Sequence, residues 1–228
     1  MNHFLEEYQK RKLEIRSYLG LAAFISGDNV TLANDDGDTH LISLLETTTL
    51  KATFYLVLYN LVEATVREGV RSIYHKISDE GLPFHELNEK LQEIWWQSHH
   101  ESITSTPRDS LISKVYEVYC LCKTESSPTF QDFIAGVSGN LDAEGVRSVC
   151  RKYGIETIAD GRDLKAIKDN RNWLAHGNKS FSEVGKDSTP SELKGAMEKV
   201  FIFLDSYVEN IADYLASAKY SIAVPVAR

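Results

Sequence analysis

The stretch Leu44–Ile77, LLETTTLKATFYLVLYNLVEATVREGVRSIYHKI, decides the fold. Leu50, Phe54, Val57 and Leu61 recur in it at three- and four-residue steps, and Leu58, Val62, Val66, Val70, Ile73 and Ile77 form a second stripe of the same period. That period is helical. Two stripes make a wide apolar face, which suits an element packed between several neighbours. At 1.5 Å per residue the helix runs to about 50 Å if unbroken.

The pattern continues outward. Downstream, Asp79-Glu80-Gly81-Leu82-Pro83 ends the long helix, and a shorter helix is expected from Phe84 to about His99. Asp109 to about Cys122 repeats the period through Leu111, Ile112, Val115, Val118 and Tyr119. Ser126-Ser127-Pro128 and then Gly136 to Asn140 break the chain. Asp142 is a good N-cap for a helix carrying Val146, Val149, Cys150 and Tyr153, with Gly154 as its C′ residue. A further helix is expected over Asp163–His176, closed by Gly177-Asn178. Thr189, Pro190 and Glu192 form a capping box. Behind it Leu193, Met197, Val200, Leu204, Tyr207, Ile211 and Tyr214 keep helical spacing to about Ala218, and the last ten residues read as a tail. Upstream, Leu5, Tyr8, Ile15 and Leu19 mark an amphipathic helix over residues 2–18. Gly27–His40 is polar and turn-rich. Its Asn34-Asp35-Asp36-Gly37-Asp38 has the look of a calcium loop, yet with Gly37 in sixth place Leu32 and Ser43 fall where an EF-hand needs carboxylates, so it reads as a solvated loop. No convincing strand precedes a Gly-rich phosphate loop. The expected fold is an all-α bundle of about six helices, with one long helix in the N-terminal half and another near the C-terminal end.

Composition agrees. A chain of 228 residues fits one large domain or two small ones. With 43% hydrophobic and 25% charged residues it is an ordinary globular sequence, and 5 Pro and 13 Gly are too few for the closely spaced turns of a sandwich or barrel. Three Cys argue against a disulfide framework and suit a reducing cytoplasm, the expected location. Met1–Glu7 is charged and has no signal-peptide apolar run, and the most apolar stretch, Phe54–Val62, is about half a bilayer span. A net charge of −8 rules out polyanion affinity over the whole surface while leaving room for a local basic site.

No metal or cofactor is expected. Cys120 and Cys122 point to different sides of a helix, Cys150 has no nearby His, the adjacent pair His99-His100 cannot present two ligands in parallel, and there is neither an HExxH nor a CxxC. The segment Asp169-Asn170-Arg171-Asn172-Trp173-Leu174-Ala175-His176-Gly177 carries more chemistry. Five residues turn a helix by about 500°, which leaves the Arg171 and His176 side chains about 140° apart and about 7–8 Å apart along the axis. They flank one helix edge, a geometry suited to a phosphodiester lying across it. Arg can hold phosphate oxygens with two parallel hydrogen bonds, and His can move a proton at neutral pH. Together they suffice for metal-free RNA cleavage with the 2′-hydroxyl as nucleophile. The same two residues also read as structure: Arg171 paired with an acid, His176 capping carbonyls ahead of Gly177.

Between Leu141 and Ser180 eight basic residues (Arg147, Arg151, Lys152, Arg162, Lys165, Lys168, Arg171 and Lys179) stand against six acids, a +2 window in a −8 chain. It reads either as a basic stripe for RNA, with Lys168 and Lys179 flanking the motif, or as an ordinary mixed-charge helix face. Trp95, Trp96 and Trp173 offer rings for base stacking or for core packing.

Arg171-Asn172-Trp173-Leu174-Ala175-His176 resembles the R-x4-6-H motif of the HEPN superfamily, including the polar residue after the Arg and the setting of a motif helix, a loop and a long final helix. Asn60-Leu61-Val62-Glu63 and Gly139-Asn140-Leu141-Asp142 resemble a bacterial branch associated with restriction and toxin–antitoxin loci. The resemblance spans about Leu44–Ala218. It implies a single all-α domain over 1–228, with a HEPN-like core at 44–218 and an N-terminal extension at 1–43 that holds the polar loop. It further implies a metal-independent endoribonuclease acting as a homodimer on RNA, a toxin or anti-phage effector with a possible cognate antitoxin and no membrane partner. By position, Arg171 would stabilise the phosphate, His176 would be general acid or base, and Asn172 would orient the phosphate or the His. Glu63 would be the carboxylate that positions Arg171, or an exposed helix acid. A non-catalytic HEPN-like dimer that binds a nucleotide or a partner protein is the alternative.

Overall fold

The structure, a computed structural model, describes residues 2–130, 134, 137 and 139–222. Eight α-helices run through them: α1 (Asn2–Phe24), α2 (Leu44–Asp79), α3 (Glu89–Thr104), α4 (Leu111–Cys122), α5 (Ala143–Tyr153), α6 (Asp163–Ala175), α7 (Phe181–Lys186) and α8 (Pro190–Ala216). The all-α reading holds.

The 36-residue α2 is the axis of the bundle. It starts at a capping box: the Ser43 hydroxyl accepts from the Glu46 backbone N–H at 3.2 Å, and Glu46 accepts from the Ser43 N–H at 2.7 Å. The second stripe foreseen, Leu58 through Ile77, is buried throughout, as are Phe54 and Leu61 of the first, while Leu50 and Val57 are half-buried. α8 crosses α2 with a capping box of its own at Thr189 and Glu192. The Tyr207 hydroxyl donates to the Val66 carbonyl at 3.0 Å beside Gly69, where a Cβ would come within 2.6 Å of that hydroxyl. A glycine is needed there because the ring lies on the helix backbone. α1 packs on both helices: Lys12, itself buried, donates to both Asp205 oxygens at 2.7 and 2.9 Å, Tyr8 donates to Asp205 at 2.7 Å, and Tyr18 donates to the Leu50 carbonyl at 2.8 Å. One hydrophobic cluster includes Phe4, Tyr8, Ile15 and Leu19 of α1 along with the inner faces of α2, α5 and α8.

α5 begins at Asp142 and ends at Gly154, whose φ of 75° is the left-handed C-terminal turn foreseen for it. α6 and α7 both lie on α2. The close approach of α7 is set by Gly185, where a Cβ would collide with the Thr48 backbone. Leu174, Val184 and Ala52 form a small separate cluster under the motif loop.

Four local readings need correction. The segment read as a solvated loop holds an antiparallel hairpin, β1 (Thr31–Ala33) with β2 (Thr39–Leu41), paired Thr31 to Leu41. All six residues are exposed, so no apolar alternation marks them. α7 has six residues, too few to show a period. α3 starts at Glu89, after a 3₁₀ turn at Phe84–Glu86. The tail is partly tied down: Tyr220 is buried, its hydroxyl donates to Glu80 at 2.6 Å, and the Ile222 N–H donates to the Glu86 carbonyl at 2.9 Å. Gly136, within an expected break, and residues 223–228 lie outside the described residues, while Gly139 and Asn140 are non-helical.

Candidate functional site

Helix α6 ends in a Schellman turn that sets the motif. Gly177, with φ of 68°, donates its N–H to Leu174, and Asn178 donates to Trp173 at 2.8 Å. His176 is the C-cap, its N–H donating to the Asn172 carbonyl at 3.0 Å. Its side chain is exposed, and its imidazole makes no hydrogen bond among the described residues.

Arg171, one and a half turns earlier, is half-buried. Its guanidinium carbon lies 4.7 Å from the centre of the Tyr59 ring, and Nη1 donates to the Asn172 side-chain oxygen at 2.9 Å. The Asn172 amide in turn donates to Asn140 at 2.8 Å. Tyr59 is buried on α2, and its hydroxyl accepts the Leu141 backbone N–H at 2.9 Å. Burial raises the phenol pKa and the Leu141 N–H opposes it; Glu63 raises it further, while Arg171 and Lys168 lower it. Asp142 completes the same short segment. One oxygen caps α5 through the Gly145 N–H at 3.0 Å, and the other accepts from Lys168 at 2.6 Å. Burial would raise the Asp142 carboxyl, but Lys168 and the Gly145 N–H hold it below its ordinary value. The Asp142 contact holds the Lys168 ammonium above its own.

The structure thus separates the expected site residues. Arg171, Asn172 and Lys168 come together around residues 140–142. Asn172 holds Arg171 rather than His176. Glu63 sits one turn past Tyr59 on α2, but it is not the carboxylate on Arg171: one of its oxygens accepts both Nε and Nη2 of Arg67, at 3.1 and 3.0 Å, and no hydrogen bond or ion pair joins it to Arg171 among the described residues. Lys168 is ion-paired with Asp142. Lys179 stands over the Trp173 ring at 3.6 Å from its centre. Trp95 is buried in the core, between Phe84 and His99.

Neither structural reading of the motif is present among the described residues. Arg171 has no acidic partner, and the His176 ring caps no carbonyl. Elsewhere in the basic window Arg147 and Arg151 pair with Glu144, Arg162 with Asp160, and Lys168 with Asp142. Lys152, Lys165, Arg171 and Lys179 have no ion pair among the described residues, and of these four Arg171 and Lys179 lie over aromatic rings. Of the Arg171 supports, Tyr59 has no signal in the sequence, and Asn140, though within the stretch Gly139–Asp142 that carries the resemblance, has none for this role; they lie 112 and 31 residues away from Arg171 and are aligned by no period. Among the described residues no group of three or more His, Cys, Asp or Glu side chains is placed to hold a metal ion, and no helix is long and apolar enough to cross a membrane.

A family model described as MAE_28990-like HEPN matches residues 2–220, which takes in α1 as well as the motif. No curated protein and no solved structure matches the chain.

Proposed function

The chain belongs to the HEPN family, and on that premise we propose that it is a metal-independent endoribonuclease acting as a homodimer, with the α6 ends of two protomers facing one RNA phosphate. The observation that carries this reading is the state of Arg171: a half-buried guanidinium held by a ring and an amide, with Nε–H and both Nη2 hydrogens unbonded among the described residues. Those donors form the fork that grips two phosphate oxygens. His176, exposed at the same helix end, supplies the proton transfers.

The reaction needs no group beyond these. An imidazole takes the proton of the 2′-hydroxyl, and O2′ attacks the adjacent phosphorus. The bond from phosphorus to O5′ breaks, and an imidazolium returns a proton to O5′. The products are a 2′,3′-cyclic phosphate and a 5′-hydroxyl. Arg171 stabilises the charge that builds on the non-bridging oxygens. Lys179, poised over Trp173, lies two residues past the helix-closing Gly177 and offers a contact to a neighbouring phosphate. In the cell this activity is that of a toxin or anti-phage effector, held in check by a cognate protein.

The test is cleavage of RNA by purified protein in EDTA. The wild type cuts, and Arg171→Ala and His176→Ala each lose about 100-fold or more, the usual size of an electrostatic or acid–base contribution. A wild-type rate in either variant removes that residue from the chemistry. Host growth arrest on expression, relieved by the same substitutions, separates the enzyme from a binding module.

A further inference from the structure

The geometry points to Tyr59, backed by Asn140, as the positioning residue that presents the Arg171 guanidinium edge-on to phosphate; this rests on the ribonuclease reading. A guanidinium on a long side chain has many rotamers, and in water it would sample most of them. Here three contacts restrict it. The Tyr59 ring covers one face at 4.7 Å. Asn172 takes one of the two Nη1 hydrogens at 2.9 Å. Asn140 fixes the Asn172 amide the right way round, because its oxygen accepts the Asn172 NH₂ at 2.8 Å and leaves the Asn172 oxygen for Arg171. The Nε–Nη2 edge is what remains.

A ring in place of a carboxylate also leaves the guanidinium its charge. A bonded carboxylate would hold Arg171 as firmly but would cancel the field that a phosphate responds to, as Asp142 does for Lys168. Tyr59 is itself fixed, buried on α2 with its hydroxyl taken by the Leu141 N–H. Asn140 therefore acts on the arginine through Asn172, while the Tyr59 ring is held chiefly by its burial on α2. No residue of this support needs to touch RNA.

The experiment compares Tyr59→Leu, Tyr59→Phe, Asn140→Ala and Arg171→Ala in the EDTA cleavage assay, alongside the Arg171 Nε–H resonance of the labelled wild type and of the Tyr59 and Asn140 variants. Phe keeps the ring and loses the hydroxyl; Leu keeps the bulk and loses the ring. Tyr59→Leu should lower kcat about tenfold, the scale of one partly desolvated cation–π contact, with KM little changed. Tyr59→Phe should stay within about twofold, and Asn140→Ala should lose about threefold, both smaller than the ring effect. The Nε–H resonance of Arg171 should move in Tyr59→Leu and not in Tyr59→Phe, which loss of folded protein alone would not produce. Equal losses in Leu and Phe variants, or full activity of Tyr59→Leu while Arg171→Ala is dead, overturn the positioning role alone. Full activity of Arg171→Ala overturns the ribonuclease site and this role with it. If Tyr59→Leu fails to fold, Tyr59→Phe and Asn140→Ala carry the test: a tenfold loss in Phe, or none in Asn140→Ala, overturns it.

Discussion

Asp142 does two separable jobs, so two substitutions should take it apart. Asp142→Asn keeps an N-cap of similar quality for α5 and loses the charge on Lys168, whereas Asp142→Ala loses both. An N-cap exchanged for Ala costs about 1 kcal/mol. A hydrogen bond between charged groups is worth about 1.5–3 kcal/mol, and with the Asp142 and Lys168 side chains 26% and 19% exposed the screened value is about 1 kcal/mol. Asp142→Asn should then cost about 1 kcal/mol and Asp142→Ala about 2 kcal/mol, or about 3 and 6 °C in Tm for a chain of this length. The assay is thermal unfolding at fixed protein concentration, at pH 7 and again near pH 3. Because the Asp142 carboxyl is held below its ordinary value in the fold, its contribution is present above the unfolded pKa of about 3.9 and disappears as pH falls through the lower folded one. The gap between wild type and Asp142→Asn should therefore be smaller near pH 3 than at pH 7. A gap that is the same at both pH values, or an Asn variant as damaged as the Ala variant, would show that the Lys168 pairing contributes nothing.

Gly185→Ala should lower stability by about 1–3 kcal/mol by overpacking against the Thr48 backbone, seen as a lower Tm and faster amide exchange across α7. Lys12→Ala should cost about 2 kcal/mol, because it opens a gap beside Tyr8 and Phe201 and leaves Asp205 without its ammonium. Lys12→Met, which refills the space, should recover most of that in urea unfolding. Tyr220→Ala should cost about 3 kcal/mol, the ordinary loss for a large buried aromatic, whereas residues 219–222 as a mere tail would give no change.

Helices that bury a face were legible because burial imposes a period: the α2 stripes, the Asp142 cap with its Gly154 stop, and the Thr189 box before α8 all stand where the residues put them. The hairpin was not, because Thr31–Ala33 and Thr39–Leu41 cover nothing and so carry no alternation. α7 left a trace, since Ser180 and Glu183 form the same capping box as Thr189 and Glu192, but six residues show no repeat behind it. The motif itself could be read, and the state of its arginine could not. From the sequence Glu63 reads either as the carboxylate that positions Arg171 or as a helix acid without that role; the structure pairs it with Arg67, four residues along α2, and gives Arg171 a tyrosine. Short-range ion pairs on one helix follow from spacing. A ring brought under a guanidinium from 112 residues away follows only from how α2 and α6 pack.

The 2′-hydroxyl at a mapped cut gives the most direct trial of the chemistry assigned to Arg171 and His176. Replacing that single hydroxyl by hydrogen in an otherwise identical RNA should abolish cutting at that position, with the unsubstituted strand yielding a 2′,3′-cyclic phosphate end. Cleavage of the substituted strand at the normal rate would mean that some other nucleophile attacks the phosphorus, and the roles given to both residues would be wrong.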